Sequence, residues 1–177
     1  ASGVTVNITG NPTAIDATTG NICPAKVTLF NEVKFDVNKI EVTCPANQSV
    51  CIDAPAFTLP DGTPPGGTFM GMGVTIDQFD PATAGVGAHV ITYTGTDANG
   101  CSNTCTFTVT VNALPVMSCP TDLTVCADAT PITLSGATPV GGTYSGMGVS
   151  GGMFNPAVAG VGTHTITYTY TDGHGCT

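Results

Sequence analysis

The chain has 177 residues, of which only 8% are charged: 12 acidic residues stand against three Lys and no Arg, for a formal net charge of -9. Bidentate phosphate clamps need Arg and a nucleic-acid groove needs clustered cations, so nucleic acid and anionic membrane surfaces are excluded as partners. With 41% hydrophobic residues and a mean hydropathy of +0.27, the composition is that of a folded chain, because disordered segments combine low hydrophobicity with high net charge.

The first residues, Ala1 to Thr5, have neither the basic end nor the apolar stretch of a signal peptide. No run approaches the roughly 18 apolar residues of a membrane span. An export signal is therefore expected upstream of this start or already removed. Eight Cys, with 23 Gly and 13 Pro, predict disulfide-stapled, loop-rich domains made in an oxidising compartment. A zinc site would need Cys-x2-Cys or Cys/His knuckles, and the spacings from Cys44 to Cys51 and from Cys101 to Cys105 provide none.

In chain order, Val33, Phe35 and Val37 alternate with Glu32, Lys34 and Asp36 and lead through Asn38 toward Cys44. That is the pattern of Phe107, Val109, Val111 and Asn112 before Cys119, so residues 1–43 are expected to be the C-terminal part of a divergent upstream unit. From Cys44 onward the chain repeats itself: 44–102 aligns on 119–177 without a gap at an offset of 75, and 33 of the 59 pairs are identical. The blocks Gly66-Gly67-Thr68, Gly71-Met72-Gly73 and Ile91-Thr92-Tyr93-Thr94 all recur. A fixed period decides architecture before any strand is assigned. One complete repeat is expected over 44–118 and a second, lacking its last strand, over 119–177.

Within a repeat the period is two. His89, Ile91 and Tyr93 fall on one face and Val90, Thr92 and Thr94 on the other, while Phe107, Val109 and Val111 alternate with Thr106, Thr108 and Thr110. Asp61-Gly62, Pro64-Pro65-Gly66-Gly67 and Asp97-Ala98-Asn99-Gly100 read as turns. About seven short strands per repeat predict an all-β fold of tandem immunoglobulin-like antiparallel sandwiches. So small a domain, with 6% aromatics and no Trp, has a thin core and needs disulfides. Cys51 and Cys101 recur as Cys126 and Cys176, which predicts bonds 51–101 and 126–176 and leaves Cys44 with Cys105. Cys23 and Cys119 then look outside the segment.

The blocks from Cys51 through Gly71-Met72-Gly73-Val74, Phe79-Asp80-Pro81 and Ile91-Thr92-Tyr93 to Cys101 resemble the tandem immunoglobulin-like repeats of very large secreted surface proteins of the Bacteroidetes. The opening Cys44-Pro45 and the closing run from Cys105 to Val111 are similar to hyalin-type and PKD-like domains. In hyalin-type repeats the corresponding two cysteines pair, which supports Cys44 with Cys105. The resemblance implies a secreted or cell-surface adhesin and no catalysis.

The remaining polar residues point the same way. His89 and His164 are equivalent and face inward on a strand, as packed, hydrogen-bonded side chains; His174 sits in a turn without a role. Met72 and Met147 are gap fillers in Gly-Met-Gly loops. Residues 44–177 hold eight Asp, no Glu and no cation. Asp97 and Asp172 open turns and are expected to cap their own backbone, with calcium as the rival reading. Asp53 matches Asp128, Asp80 becomes Asn155, and Asp77 has no acidic counterpart. Ser49 and Ser102 belong to no nucleophile motif. The sequons at Asn7 and Asn47 are read as chance, since Asp122 replaces Asn47 in the second repeat. Tyr93 and Tyr168 face inward, which leaves no aromatic platform for sugars.

The function expected is a non-enzymatic stalk segment of an extracellular adhesin that projects a binding region from the cell surface. It would need no cofactor, and its partners would be neighbouring repeats or other copies of itself. Two alternatives remain: a filament subunit in which Val33, Phe35 and Val37 complete another copy's sandwich by strand addition, and an accessory or carbohydrate-binding module of a secreted hydrolase. Without Lys or Arg, 44–177 offers no trypsin site and no isopeptide crosslink.

Overall fold

Two alternating sequences, Gly87 to Thr96 and Ser102 to Asn112, form the longest strands among the described residues and pair with each other. The structure, a computed structural model, describes residues 13–15, 22–24, 40–98 and 100–177. The strand-exchange candidates Val33, Phe35 and Val37 lie outside the described residues. Near the start, β1 (Thr13–Ile15) and β2 (Ile22–Pro24) form an antiparallel pair with Ala14 opposite Cys23. Then come β3 (Gln48–Cys51), β4 (Phe57–Thr58), β5 (Thr68–Met70), β6 (Val74–Thr75), β7 (Gln78–Phe79), the single helical turn α1 (Pro81–Ala84), β8 (Gly87–Thr96) and β9 (Ser102–Asn112). The remainder holds β10 (Ile132–Thr133), β11 (Thr143–Ser145), β12 (Val149–Ser150), β13 (Met153–Phe154), α2 (Pro156–Ala159) and β14 (Thr167–Thr169). From β10 onward, elements stand 75 positions after β4, β5, β6, β7 and α1. The architecture is all-β and antiparallel.

The chain divides into two compact units, residues 1–49 with 54–111, and residues 50–53 with 112–177. In the first, one sheet runs β3-β9-β8-β5 and a second runs β4-β7-β6. Ten cross-strand pairs join β8 to β9, with Ile91 opposite Phe107 and His89 opposite Val109 on the inner face. Ile91, Tyr93 and Val109 are fully buried, while the alternate Thr92, Thr94 and Thr106 are partly or wholly exposed. This is the period-two signature of a half-buried strand. The second sheet meets the first where Phe79, also fully buried, stands 6.1 Å from His89; within the sheets, Phe79 lies 5.7 Å from Phe57, and Phe69 lies 4.9 Å from Tyr93 and 6.2 Å from Phe107. Each such side chain contributes about 1.5–3 kcal/mol by burial.

The second unit repeats the three-stranded sheet as β10-β13-β12, but its other sheet is only β11-β14. β8 is ten residues long and β14 three, although Ile-Thr-Tyr-Thr is common to both. The reason is the neighbour. β8 lies between β5 and β9, whereas β14 pairs with β11 alone among the described strands. Ile166 is accordingly half exposed where Ile91 is sealed.

Both units turn between the two strands of their hairpin in two residues. In the second these are Gly151 and Gly152, at φ 55° and 75°, but in the first Ile76 occupies the left-handed region at φ 61°. A β-branched side chain there is strained, because its Cβ crowds the following carbonyl. Ile76 is also 85% exposed, so its side chain returns little burial. Ile76→Gly is expected to stabilise the first unit by about 1 kcal/mol, raising Tm by about 5 °C; an unchanged or lower Tm in a thermal melt would contradict the strain.

Candidate functional site

The chemically distinctive part of the chain is its cystine frame, together with the turns that position each half of it. Cys44 is bonded to Cys105 across 61 residues, with Cα atoms 5.7 Å apart. Cys105 sits on β9 opposite Tyr93, so this bond ties the segment that follows the Thr43–Thr63 bridge to the centre of the sheet. Cys51 is bonded to Cys176 across 125 residues. That corrects two expectations: Cys51 does not pair with Cys101, and Cys126 does not pair with Cys176. Cys101 is in a disulfide as well, while Cys119 and Cys126 are free and exposed. In the chain-entropy account, closing loops of these lengths stabilises by about 4 and about 5 kcal/mol respectively.

A carboxylate turn holds each of the two buried half-cystines. Asp97 Oδ1 accepts the Cys101 N–H at 2.9 Å, and the Asp97 N–H donates to the Cys101 carbonyl at 2.9 Å. Asp172 does the same for Cys176, its Oδ1 accepting N–H groups from Cys176 at 2.9 Å and from His174 at 2.8 Å. Cys101 and Cys176 are each 1% exposed. A short acceptor that bonds its own backbone fixes such a turn without further packing. The Asp172 carboxyl is held below its ordinary value, first by the Cys176 N–H, against some desolvation, and further by the His174 N–H and the His174 ring. The His174 ring stands 3.8 Å from Asp172 and is mostly exposed, so this pair is weak. Among the described residues no group of three or more His, Cys, Asp or Glu is placed to hold a metal ion.

A second repeated device latches the sheet to its incoming loop. The Tyr93 hydroxyl donates to the Pro64 carbonyl and accepts from the Gly67 N–H at 3.0 Å. Tyr168 donates to Pro139 at 2.7 Å and accepts from Gly142 at 2.7 Å. The approach is so close that a Cβ on Gly67 would lie 2.4 Å from the Thr94 carbonyl, which is why glycine stands there. Sequence reasoning placed both tyrosines inward but missed the latch. Its signal was available: each Tyr follows its Gly by 26 residues in both copies.

The other sequence candidates have ordinary roles. His89 Nε2 donates to the Gly85 carbonyl at 2.8 Å and His164 Nε2 to Gly160 at 3.0 Å, which puts the ring hydrogen on Nε2 in each. Asp80 caps α1, accepting from the Ala82 N–H at 3.0 Å and from the Thr83 hydroxyl at 2.6 Å, and Asn155 caps α2 in the same way through the Ala157 N–H at 3.1 Å. Asp80 is held below its ordinary value mainly by the Thr83 hydroxyl, with the Ala82 and Thr83 N–H groups adding to it against a desolvation penalty. Met72 and Met147 are 67% and 64% exposed, so, contrary to expectation, they do not fill gaps in the core.

Residues 35–111 match the HYR domain. HYR domains are immunoglobulin-like hyalin repeats, extracellular adhesion-type modules of a non-catalytic family. No curated protein and no solved structure matches the chain.

Because both lowered carboxyls prefer the charged form in the folded state, their contribution is fully present above the ordinary value of 3.8 and is lost as pH falls through the folded values below it. Tm is expected to fall on that acid limb. Asp80→Asn, which imitates Asn155, should keep the cap and flatten part of the limb; an acid limb unchanged in this variant would refute the assignment.

Proposed function

We propose that this chain is a non-enzymatic structural segment of an extracellular adhesin, a stalk of tandem repeats that projects a binding region from the cell surface. The match of 35–111 to an adhesion-type repeat supports the class, and the disulfides suit an oxidising, extracellular setting. The block pattern that resembles the secreted surface proteins of the Bacteroidetes favours that type of adhesin. Its partners in this reading are neighbouring repeats of the same polypeptide. In this reading Asp97 and Asp172 serve their own turns, through Oδ1.

The observation that carries the reading is the Cys51–Cys176 bond. A stalk works under tension, and tension follows the shortest covalent path. Pulled from its ends, the chain transmits force through residues 1–51, the disulfide and residues 176–177, at most 53 residues. Everything from 52 to 175 is relieved of load. A second reading, a filament built by strand addition between copies, draws on the one-sided pairing of β14.

Single-molecule pulling of the 177-residue chain tests the proposal. At about 3.5 Å per residue, the oxidised chain should extend by no more than about 190 Å, and the reduced chain should reach about 620 Å. An oxidised chain that lengthens like the reduced one would place the bond outside the force path and remove the main support for the stalk.

A further inference from the structure

We propose that Cys23 is the partner of Cys101, and that each compact unit of this chain is closed by a cysteine taken from upstream of its own repeat. The chain has eight cysteines. Cys44 is bonded to Cys105 and Cys51 to Cys176, Cys119 and Cys126 are free, and Cys101 is in a disulfide. Of the eight, only Cys23 is left to hold it. The repeat pattern alone sends Cys23 outside the segment, and the pairing of the other cysteines brings it back.

The two units follow one rule. Cys101 and Cys176 are counterparts, each 1% exposed and each held by the carboxylate of its turn, Asp97 or Asp172. The bond to Cys176 comes from Cys51, which precedes the opening Cys119-Pro120 of that repeat and belongs, within residues 50–53, to the same compact unit. Cys23 stands in the same relation to Cys101. It precedes the opening Cys44-Pro45, lies on β2 opposite Ala14, and belongs with Cys101 to the unit of residues 1–49 and 54–111. Chain upstream of Cys44 already lies at this end of β9, because the Asn103 carboxamide donates to the Ile40 carbonyl at 3.1 Å. The bond forms by exchange with a small-molecule or protein disulfide of the oxidising compartment. One thiolate attacks that disulfide and expels a thiol, the second thiolate displaces the other, and the oxidant leaves as two thiols carrying both protons.

The consequence is an interlocked frame. With all three bonds closed, the shortest covalent route from end to end runs through residues 1–23, 101–105, 44–51 and 176–177, which is 38 residues in place of 53. The short stretch 101–105 returns to the load path, and 24–43 leaves it. This use of the bond rests on the stalk reading; the bond itself does not.

Two measurements on the 177-residue oxidised chain test the proposal. The first uses the placement of the cations: trypsin cuts after Lys26, Lys34 and Lys39 and finds no Lys or Arg beyond. After free thiols are blocked, digestion should leave 1–26 attached to 40–177, reduction should separate the two, and a peptic digest of the joined species should give a peptide pair carrying Cys23 and Cys101. Release of 1–26 without reduction, a blocked Cys23, or Cys23 paired with another cysteine would overturn the assignment. The second is the pulling experiment. At about 3.5 Å per residue the proposal expects a full extension of about 130 Å. An extension near 190 Å would overturn it and leave the Cys51–Cys176 path standing, whereas one near 350 Å would keep Cys23–Cys101 and remove that path. The reduced length of about 620 Å would overturn both.

Discussion

The antiparallel ladder between β8 and β9 is the interaction on which the rest of the first unit depends. Its ten pairs link the main chains of both strands and bring Ile91, Phe107, Val109 and Val111 to one face, where all four are buried. Cross-strand pairs contribute about 0.2–1 kcal/mol each, so the ladder acts through its sum and through the burial that it organises. The tyrosine latch and the Cys44–Cys105 bond both attach to it. The second unit shows what the sequence does with one neighbour strand fewer among the described residues: the shared Ile-Thr-Tyr-Thr lies in a strand of three residues rather than ten. Local preference proposes a strand, and the neighbour decides its length.

A thin core leaves the covalent frame to do much of the stabilising. With no Trp and 6% aromatics, repeats of this size sit at the limit of what burial alone holds. The frame answers in two ways. Cys44–Cys105 closes the first unit on itself, whereas Cys51–Cys176 joins residues that belong to different copies in sequence, since Cys176 is the counterpart of Cys101. A bond of that second kind leaves the residues between its ends outside the load-bearing path, a property suited to a segment that is pulled.

Much of this was legible in the sequence, and the exceptions have physical causes. The period of two along β8 and β9, the inward Tyr93, and the turns at Asp97 and Asp172 depend on near neighbours in the chain, and local chemistry is sufficient to read them. The partner of Cys51 was not legible, because a repeat is symmetric under its own shift: pairing 51 with 101 and pairing it with 176 leave the same residue pattern. Nor was the length of β14, which depends on a strand far away in sequence rather than on its own residues. The latch was missed for a different reason. A tyrosine on an apolar face reads as packing, and only its hydroxyl geometry against Pro64 and Gly67 reveals the second role.

The central claim is that the neighbour strand, rather than local sequence, sets the order of these repeats. Amide hydrogen exchange compares the shared Ile-Thr-Tyr-Thr at 91–94 and 166–169 within one molecule. The account predicts strong protection along β8 from Gly87 to Thr96, and in the second copy protection confined to the amides that β14 pairs with β11. Equal, continuous protection of both segments would contradict it.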